Sequence, residues 1–258
     1  MKNLLLVLAI SLWAINAQAK VKTQLITYKD GDATLEGYLA YDDEIKGKRP
    51  GVLVVHEWTG INPNIEEKTQ MLAKLGYIAF AADIYGKGIR PTTPDDAAKQ
   101  ATIYKSDRKL MRSRVLAGLN ELRKQELTDT KKLAAIGYCF GGTVVLELAR
   151  SGADISGVVS FHGGVDPVNP EDAKNIKAKI LALHGADDPY VKMDEVLRFQ
   201  DEMRKAGVDW QMVFYGGAVH SFTNPFAGND NSKGAAYNEK AAQRAWQAMQ
   251  LFFSEIFK

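Results

Sequence analysis

The sequence predicts an α/β fold: a doubly wound, mostly parallel sheet with helices on both faces and antiparallel strands at its N-terminal edge. Three observations support this. Apolar runs of strand length alternate with amphipathic helical stretches, which is typical of parallel strands joined by helices. Most of these runs are apolar throughout, as in central strands covered on both faces. The first two strand-like stretches instead alternate polar and apolar residues, which indicates antiparallel pairing.

The predicted elements follow in chain order. The strands are the alternating stretches 20–28 and 33–41, joined by a turn at Asp30-Gly31, and the apolar runs 51–57, 77–85, 133–138, 156–164, 178–185 and 209–217. Prolines favour the first turn of a helix, so helices should begin near Pro63 and Pro94. Further helices are predicted around residues 111–122, 143–149, 196–203 and 246–256, where apolar residues recur at helical spacing.

Composition limits the classes of protein that fit the sequence. The chain has 258 residues, 46% hydrophobic and 25% charged, with a formal net charge of +2, which is ordinary for a globular protein. No basic stripe of the kind that binds nucleic acid is visible, so we expect no nucleic-acid partner. There is no internal repeat, low-complexity tract or linker. We therefore expect a single domain over residues 20–258.

The first residues have the pattern of a secretory signal peptide. Lys2 precedes an apolar run from Leu4 to Ala14, and Ala17-Gln18-Ala19 forms a small-x-small cleavage site. A membrane span takes roughly 20 apolar residues, which is longer than this run. The pattern predicts that residues 1–19 are removed and that the mature chain is periplasmic, without a stable membrane anchor.

A tight glycine-rich bend between the fifth predicted strand and the next helix carries the only cysteine, Cys139. Gly137, Gly141 and Gly142 surround it, as in a nucleophile elbow with cysteine in the usual serine position. The glycines let strand and helix approach closely, and the helix dipole favours a thiolate over a thiol. The bend predicts a catalytic nucleophile. The alternative is a small core cysteine at a glycine-rich turn.

A nucleophile needs a base, and the base needs an acid that orients it. All four histidines follow or end predicted strands, so position alone does not select one. The usual chain order in this fold class is nucleophile, acid, histidine, which selects His220 in the loop after the last strand. The preceding loop offers Asp187 and Asp188. Asp188 is preferred, because it stands before a proline in the usual acid turn, and Asp187 remains the alternative.

Two backbone N–H groups are predicted to stabilise an oxyanion. One belongs to Phe140, directly after the nucleophile, and the other to Trp58 in the stretch "HEWTG" after the third strand. Glu57 would place a carboxylate in the same pocket, close enough to affect the thiol. This stretch is not a zinc motif, because residue 60 is glycine rather than the second histidine of His-Glu-x-x-His. We expect neither a metal nor a cofactor.

Together these residues resemble the dienelactone hydrolases of the α/β-hydrolase fold. The matching motifs are "HEWTG", "ADIYG", "GYCFGG", "GADDPYV" and "YGGAVHSF", in this order over most of the chain after residue 19. The resemblance implies a triad of Cys139, Asp188 and His220, with oxyanion donors at Trp58 and Phe140. It also implies that a resting-state glutamate, here residue 57, holds the cysteine as a neutral thiol until substrate binding moves it.

The sequence departs from the family where the substrate carboxylate is bound. The resemblance implies one arginine shortly after the tyrosine of "IYGKGIR" and another soon after the catalytic histidine, but Lys87 and Asn224 occupy these places. Lysine keeps the charge without the bidentate geometry of arginine, and asparagine does not replace it. Tyr85 and Lys87 remain candidate substrate contacts, and Arg90 is a candidate replacement for the missing charge. A neutral ester, lactone or thioester is therefore as good a candidate substrate as an anionic lactone.

The sequence thus predicts a hydrolase that cleaves a small-molecule carboxylic ester or lactone through a Cys-His-Asp triad and an acyl-cysteine intermediate. One alternative is an acyltransferase or thioesterase that uses the same triad. Another is a non-catalytic binding protein on a hydrolase fold, against which the presence of all three triad residues argues. His162, in "FHGG", is interpreted as a pocket-wall or structural residue.

Overall fold

A computed structural model describes residues 20–258. The predicted signal peptide at residues 1–19 lies outside the described residues. One eight-stranded sheet runs through the described part, in the order β1-β2-β4-β3-β5-β6-β7-β8. Its strands are β1 (Val21–Asp30), β2 (Ala33–Asp42), β3 (Arg49–Val55), β4 (Ile78–Ala82), β5 (Thr128–Tyr138), β6 (Gly157–Phe161), β7 (Lys179–Gly185) and β8 (Trp210–Tyr215).

Strand directions confirm the predicted topology. β1 pairs with β2 and β2 pairs with β4 in antiparallel fashion, whereas every pairing from β4 through β3 to β8 is parallel. The helices are α1 (Pro63–Lys74), α2 (Pro94–Ser106), α3 (Arg108–Lys124), α4 (Phe140–Arg150), α5 (Met193–Ala206) and α6 (Glu239–Ile256). Three short 3₁₀ helices were not predicted: Pro170–Asn175, Pro225–Ala227 and Asn231–Lys233. Among residues 20–258 no helix combines the length and hydropathy that a membrane span requires.

The central strands are apolar throughout because each contributes to two cores. In β3, Val52 and Val54 belong to the core that α1 and α6 cover. Leu53 and Val55 point the other way, into the core under α2 to α5. All four side chains are fully buried. Helices therefore cover both faces of the sheet, as the sequence predicts.

The starts of α1 and α2 lie where the prolines predict them, whereas α6 begins at Glu239, before the predicted residue 246. The Asn62 side chain accepts a hydrogen bond from the backbone of Ile65 at 3.1 Å and begins α1. Thr93 accepts one from the backbone of Asp96 at 3.2 Å and begins α2. Gly207 ends α5 in the left-handed conformation, with φ 68°. Local capping residues thus fix the lengths of the connecting helices.

All eight strands have bounds that differ somewhat from the prediction; β6, for example, ends at Phe161 rather than at residue 164. The differences at β4 and β5 have a visible physical cause. β4 ends at Ala82 rather than at residue 85, because the Asp83 carboxylate accepts hydrogen bonds from the backbones of Tyr85 and Gly86, each at 3.1 Å, and turns the chain. β5 begins at Thr128 rather than at residue 133. Its polar first half pairs with the start of β3 across a register irregularity, so the apolar pattern does not reveal it.

Candidate active site

Cys139 occupies a sharp bend between β5 and α4. Its backbone has φ 53° and ψ −114°, a strained conformation for a residue with a side chain. The bend is possible because its neighbours are glycines: a Cβ on Gly137 would overlap the carbonyl of Gly141, and one on Gly141 would overlap the carbonyl of Val55. The strand, the bend and the helix thus pack without space for side chains at these glycines, and Cys139 is the N-cap residue directly before α4.

His220 lies between Cys139 and Asp188. Its Nε2 is 3.0 Å from the cysteine Sγ, and its Nδ1 is 2.8 Å from Asp188 Oδ2. The other oxygen of Asp188 accepts the backbone N–H of Tyr190 at 2.8 Å, and this carboxylate is fully buried. Asp187 instead accepts a backbone N–H of the loop after β8 at 3.0 Å. Of the two aspartates that the sequence leaves open, the structure brings Asp188 to the histidine.

The charges around His220 favour its protonated form. Burial by itself would lower its pKa, but the negative charge of Cys139 and the hydrogen bonds with Asp188 and Cys139 outweigh burial and raise the pKa to about 10. The geometry therefore permits an imidazolium–thiolate pair at neutral pH.

The predicted oxyanion donors lie at the same cleft. Trp58 and Phe140 both line the cavity that contains Cys139 and His220. Within residues 20–258 neither backbone N–H donates a hydrogen bond to another group. Tyr85 holds the first of these segments, because its hydroxyl donates to the carbonyl of Trp58 at 2.9 Å. Two free donors beside a nucleophile are the arrangement that stabilises an oxyanion.

Glu57 is buried beside this cleft and is held by asparagines. Asn224 Nδ2 donates to its Oε2 at 2.8 Å, and Asn64 approaches the same oxygen at 3.5 Å. Burial raises the pKa of the Glu57 carboxyl. Among the described residues no hydrogen bond joins it to Cys139, whose sulfur contacts His220. This arrangement differs from the resting state that the resemblance implies, because Asn224 and not the thiol engages the carboxylate.

Two of the three candidate contacts lie elsewhere than expected. Lys87 Nζ is 2.8 Å from Glu36 Oε2 and 3.1 Å from Thr27 Oγ1, and it is not among the residues that line the Cys139 cavity. Arg90 is held by backbone carbonyls of its own loop. Tyr85 is buried behind Trp58. Lys87 and Arg90 are therefore not placed to contact a substrate at the sulfur. Burial and the nearby charge of Cys139 raise the pKa of the Tyr85 hydroxyl, so this residue lies close to the sulfur and stays a candidate.

Two adjoining cavities lie at this cleft, and Cys139 lines one of them. The one that contains Cys139 has a volume of about 360 Å³. Its neighbour, of about 510 Å³, contains Glu57 and the asparagine side chains around it. Trp58 lies between them and lines both. Volumes in this range are typical of small-molecule sites.

Sequence reasoning missed several residues of the cleft. Lys105 of α2, Thr143 of α4 and the residues Tyr190 and Ser221 all line the Cys139 cavity. The Tyr190 ring packs edge-on against the His220 ring, with 5.4 Å between centroids. Ser221 directly follows His220, and Tyr190 lies two residues after Asp188. Closeness to a predicted triad residue could therefore have identified both from the sequence. Lys105 has no such signal, because it reaches the site only through the folding of α2.

The described residues contain no group of three or more His, Cys, Asp and Glu side chains placed to hold a metal ion. His56 illustrates why. Its Nδ1 contacts the carbonyl of Glu57 at 2.6 Å and its Nε2 accepts the backbone N–H of Ile84 at 3.2 Å. Burial lowers the pKa of His56 to about 4, so it serves as a neutral structural residue of the cleft wall.

A family model described as the dienelactone hydrolase family matches residues 35–257. A protein named usf from Aquifex pyrophilus is 31% identical over 90% of this chain and 98% of its own length. A protein of Aquifex aeolicus that carries the provisional name carboxymethylenebutenolidase is 30% identical over 91% of this chain and 99% of its own length.

Solved structures agree with these relatives. A structure titled m3DLH has a TM-score of 0.89 and 41% identity, covering 92% of this chain and 99% of its own. A dienelactone hydrolase-like promiscuous phosphotriesterase from metagenomic libraries has a TM-score of 0.89 and 40% identity over the same shares of the two chains. Both likenesses extend over nearly all of the described residues.

Proposed function

The chain belongs to the dienelactone hydrolase family of ester and lactone hydrolases, and we propose that it acts through a Cys139–His220–Asp188 triad and an acyl-cysteine intermediate. The observation that carries the proposal is the pair of distances at His220, 3.0 Å to the sulfur and 2.8 Å to the Asp188 carboxylate. Nucleophile, base and orienting acid at these spacings are what acyl transfer requires.

In the first half of the reaction, the Cys139 thiolate attacks the carbonyl carbon of the substrate. A carbon–sulfur bond forms, and the carbonyl electron pair moves onto the oxygen, where the backbone N–H groups of Phe140 and Trp58 stabilise it. The tetrahedral intermediate collapses and expels the alcohol oxygen, which takes the proton from His220 Nε2. Asp188 keeps Nδ1 protonated and the ring in place throughout.

In the second half, water attacks the acyl-cysteine. His220, now neutral, accepts a proton from that water as the new carbon–oxygen bond forms. The second tetrahedral intermediate expels the Cys139 thiolate and releases the carboxylic acid. The thiolate again faces an imidazolium, so the cycle closes with no cofactor consumed.

Glu57 is the proposed modulator of the thiol. A buried carboxylate beside the pair disfavours a second negative charge on the sulfur, and its raised pKa allows it to carry a proton itself. Asn224 Nδ2 donates to the Glu57 carboxylate at 2.8 Å, while the Cys139 sulfur contacts His220. Replacing Glu57 by Gln should therefore increase the rate at which iodoacetamide alkylates Cys139, because a neutral amide no longer opposes negative charge on the sulfur. An unchanged alkylation rate would remove this role.

A short p-nitrophenyl ester tests the proposal. Residues 20–258 should release p-nitrophenol catalytically. Cys139→Ala should abolish turnover, and Cys139→Ser should keep a small part of it, because a hydroxyl is a weaker nucleophile at the same position. Adding an alcohol or amine acceptor separates hydrolysis from acyl transfer. Constant acid release with no transfer product supports hydrolysis, and a mixed product supports the acyltransferase alternative.

A second candidate activity is hydrolysis of phosphotriesters. The observation that favours it is the 40% identity with the metagenomic dienelactone hydrolase-like promiscuous phosphotriesterase. In this chain the attacking group would again be Cys139, and the same two N–H groups would stabilise charge on the phosphoryl oxygen. Release of p-nitrophenol from a dialkyl p-nitrophenyl phosphate, lost in Cys139→Ala, would support this activity.

Export is proposed on the pattern of residues 1–19 alone. Expression of the full-length chain in a bacterial host should give a periplasmic product whose N-terminal residue is Lys20. An uncleaved product in the cytoplasmic fraction would contradict export.

A further inference from the structure

His162 lies beneath the nucleophile and contacts two segments of the site. Its side chain is fully buried at the end of β6. Its Nδ1 is 3.2 Å from the backbone nitrogen of Cys139, and its Nε2 is 2.8 Å from the hydroxyl of Thr223. The imidazole therefore spans from the elbow to the loop that follows the base.

These contacts fix the tautomer of the ring. A backbone amide only donates, so Nδ1 must accept from Cys139 and the proton must be on Nε2. Nε2 then donates to the oxygen of Thr223. The Cys139 amide also donates to the carbonyl of Phe161 at 3.0 Å, so it is shared between two acceptors. The histidine is thus an additional constraint on an amide that β6 already holds.

The position of Thr223 gives the contact its significance. Thr223 lies three residues after His220 in the chain, and its side chain is buried. Cys139 and His220 are carried by different segments, the bend after β5 and the loop after β8. His162 is bonded to both segments. We propose that His162 and Thr223 form a buried bridge that sets the distance between the Cys139 sulfur and His220, and that both are positioning residues for the proposed reaction.

Two further observations fit the bridge. His162 has φ 41°, a strained backbone conformation of the kind retained at functional sites. Its ring packs edge-on against the ring of His220, with 5.4 Å between centroids. Burial and the charge of His220 hold the pKa of His162 well below its usual range. A neutral His162 keeps Nδ1 as an acceptor and adds no positive charge beside the imidazolium.

The experiment uses threonine variants, which do not disturb the strained histidine backbone. Thr223→Val keeps the shape and removes the hydroxyl, and Thr223→Ser restores the hydroxyl. Thr69→Val is the matched control, because Thr69 is also buried but its hydroxyl bonds only to a carbonyl of its own helix. All three variants are compared with wild type in p-nitrophenyl acetate hydrolysis and in thermal unfolding.

Thr223→Val should lower kcat roughly tenfold with KM nearly unchanged, since small displacements of reacting groups lower rates strongly. Thr223→Ser should recover most of this loss, and Thr69→Val should keep wild-type kcat. His162→Asn should be more active than His162→Leu, because asparagine offers an acceptor near Nδ1 and tolerates a left-handed backbone. Wild-type kcat in Thr223→Val would overturn the bridge, as would equal losses in Thr223→Val and Thr69→Val.

A second readout separates this proposal from the catalytic one on which it rests. The rate of Cys139 alkylation by iodoacetamide reports on the thiolate without any turnover. Loosening the bridge should weaken the pair with His220, so alkylation in Thr223→Val should need a higher pH than in wild type. If wild type does not hydrolyse esters, the proposed function fails and the alkylation profile still decides the bridge. An identical profile in wild type and Thr223→Val would overturn it.

Discussion

Asp188→Asn tests the electrostatics of the site. The substitution keeps the shape of the side chain and removes a buried negative charge 2.8 Å from His220 Nδ1. A hydrogen bond to a charged group contributes about 1.5–3 kcal/mol, which corresponds to about a 10- to 150-fold loss in kcat/KM. The same substitution should lower the pKa of His220 from about 10, because the neutral amide favours the imidazolium less than the carboxylate does.

The matched control is Asp187→Asn. Asp187 is the neighbouring aspartate, but it accepts a backbone N–H at 3.0 Å and does not reach the histidine. Its kcat/KM for p-nitrophenyl acetate should stay within about twofold of wild type, as expected for a surface change. The pH dependence of kcat/KM for each variant reports the titration of His220. Equal losses in the two variants, or a kcat/KM near wild type in Asp188→Asn, would refute the assignment of the acid.

Three further predictions concern stability, the oxyanion segment and pH. Arg150 is buried and forms ion pairs with two buried glutamates, Glu147 and Glu202. Arg150→Leu should therefore lower the free energy of unfolding, measured by urea titration, by about 3–5 kcal/mol. A loss below about 1 kcal/mol would contradict a stabilising role of these ion pairs. Tyr85→Phe removes the 2.9 Å hydrogen bond to the Trp58 carbonyl and should lower kcat about fivefold, with a loss in melting temperature of only about 2–4 °C. An unchanged kcat would exclude a role in holding that segment. Because the pKa of His220 is raised to about 10, the contribution of the protonated histidine to stability is complete below pH about 6.5 and is lost as the pH rises towards 10. The urea midpoints of wild type and His220→Gln should therefore converge over this pH range. A constant difference between the midpoints would contradict the pairing of His220 with Cys139 and Asp188.

Much of the fold was predictable because its signals are local. The continuous apolar run at 51–57 predicts a strand that is buried on both faces. Val52 and Leu53 confirm this, because they are buried in the cores on opposite faces of the sheet. Helix starts at Asn62 and Thr93 follow from side chains that cap the next turn. The end of β4 was not predictable from hydrophobicity, because the turn depends on the carboxylate of Asp83 bonding to the backbone beyond it.

Site residues could be predicted where the order of motifs along the chain identifies them. Residues that reach the site only because distant segments fold together could not be predicted. Glycines around Cys139, and the order of the acid and histidine loops, point to residues that the structure brings together. Lys87 was expected in the cleft but pairs with Glu36, a partner from β2 that no local pattern indicates. Likewise the contacts of His162 with the elbow and with Thr223 join three segments distant in sequence.

The most direct test of the account is the covalent intermediate. Residues 20–258 are mixed with p-nitrophenyl acetate, quenched in acid within milliseconds, and examined by intact-protein mass spectrometry with peptide mapping. We expect a transient gain of one acetyl group on the peptide that contains Cys139, and none in Cys139→Ala. In His220→Gln the acetyl group should form more slowly and persist longer, because His220 both pairs with the thiolate and activates the water that removes the acetyl group. Turnover of the ester without any acetyl group on Cys139, or with the acetyl group on another residue, would contradict the proposed mechanism.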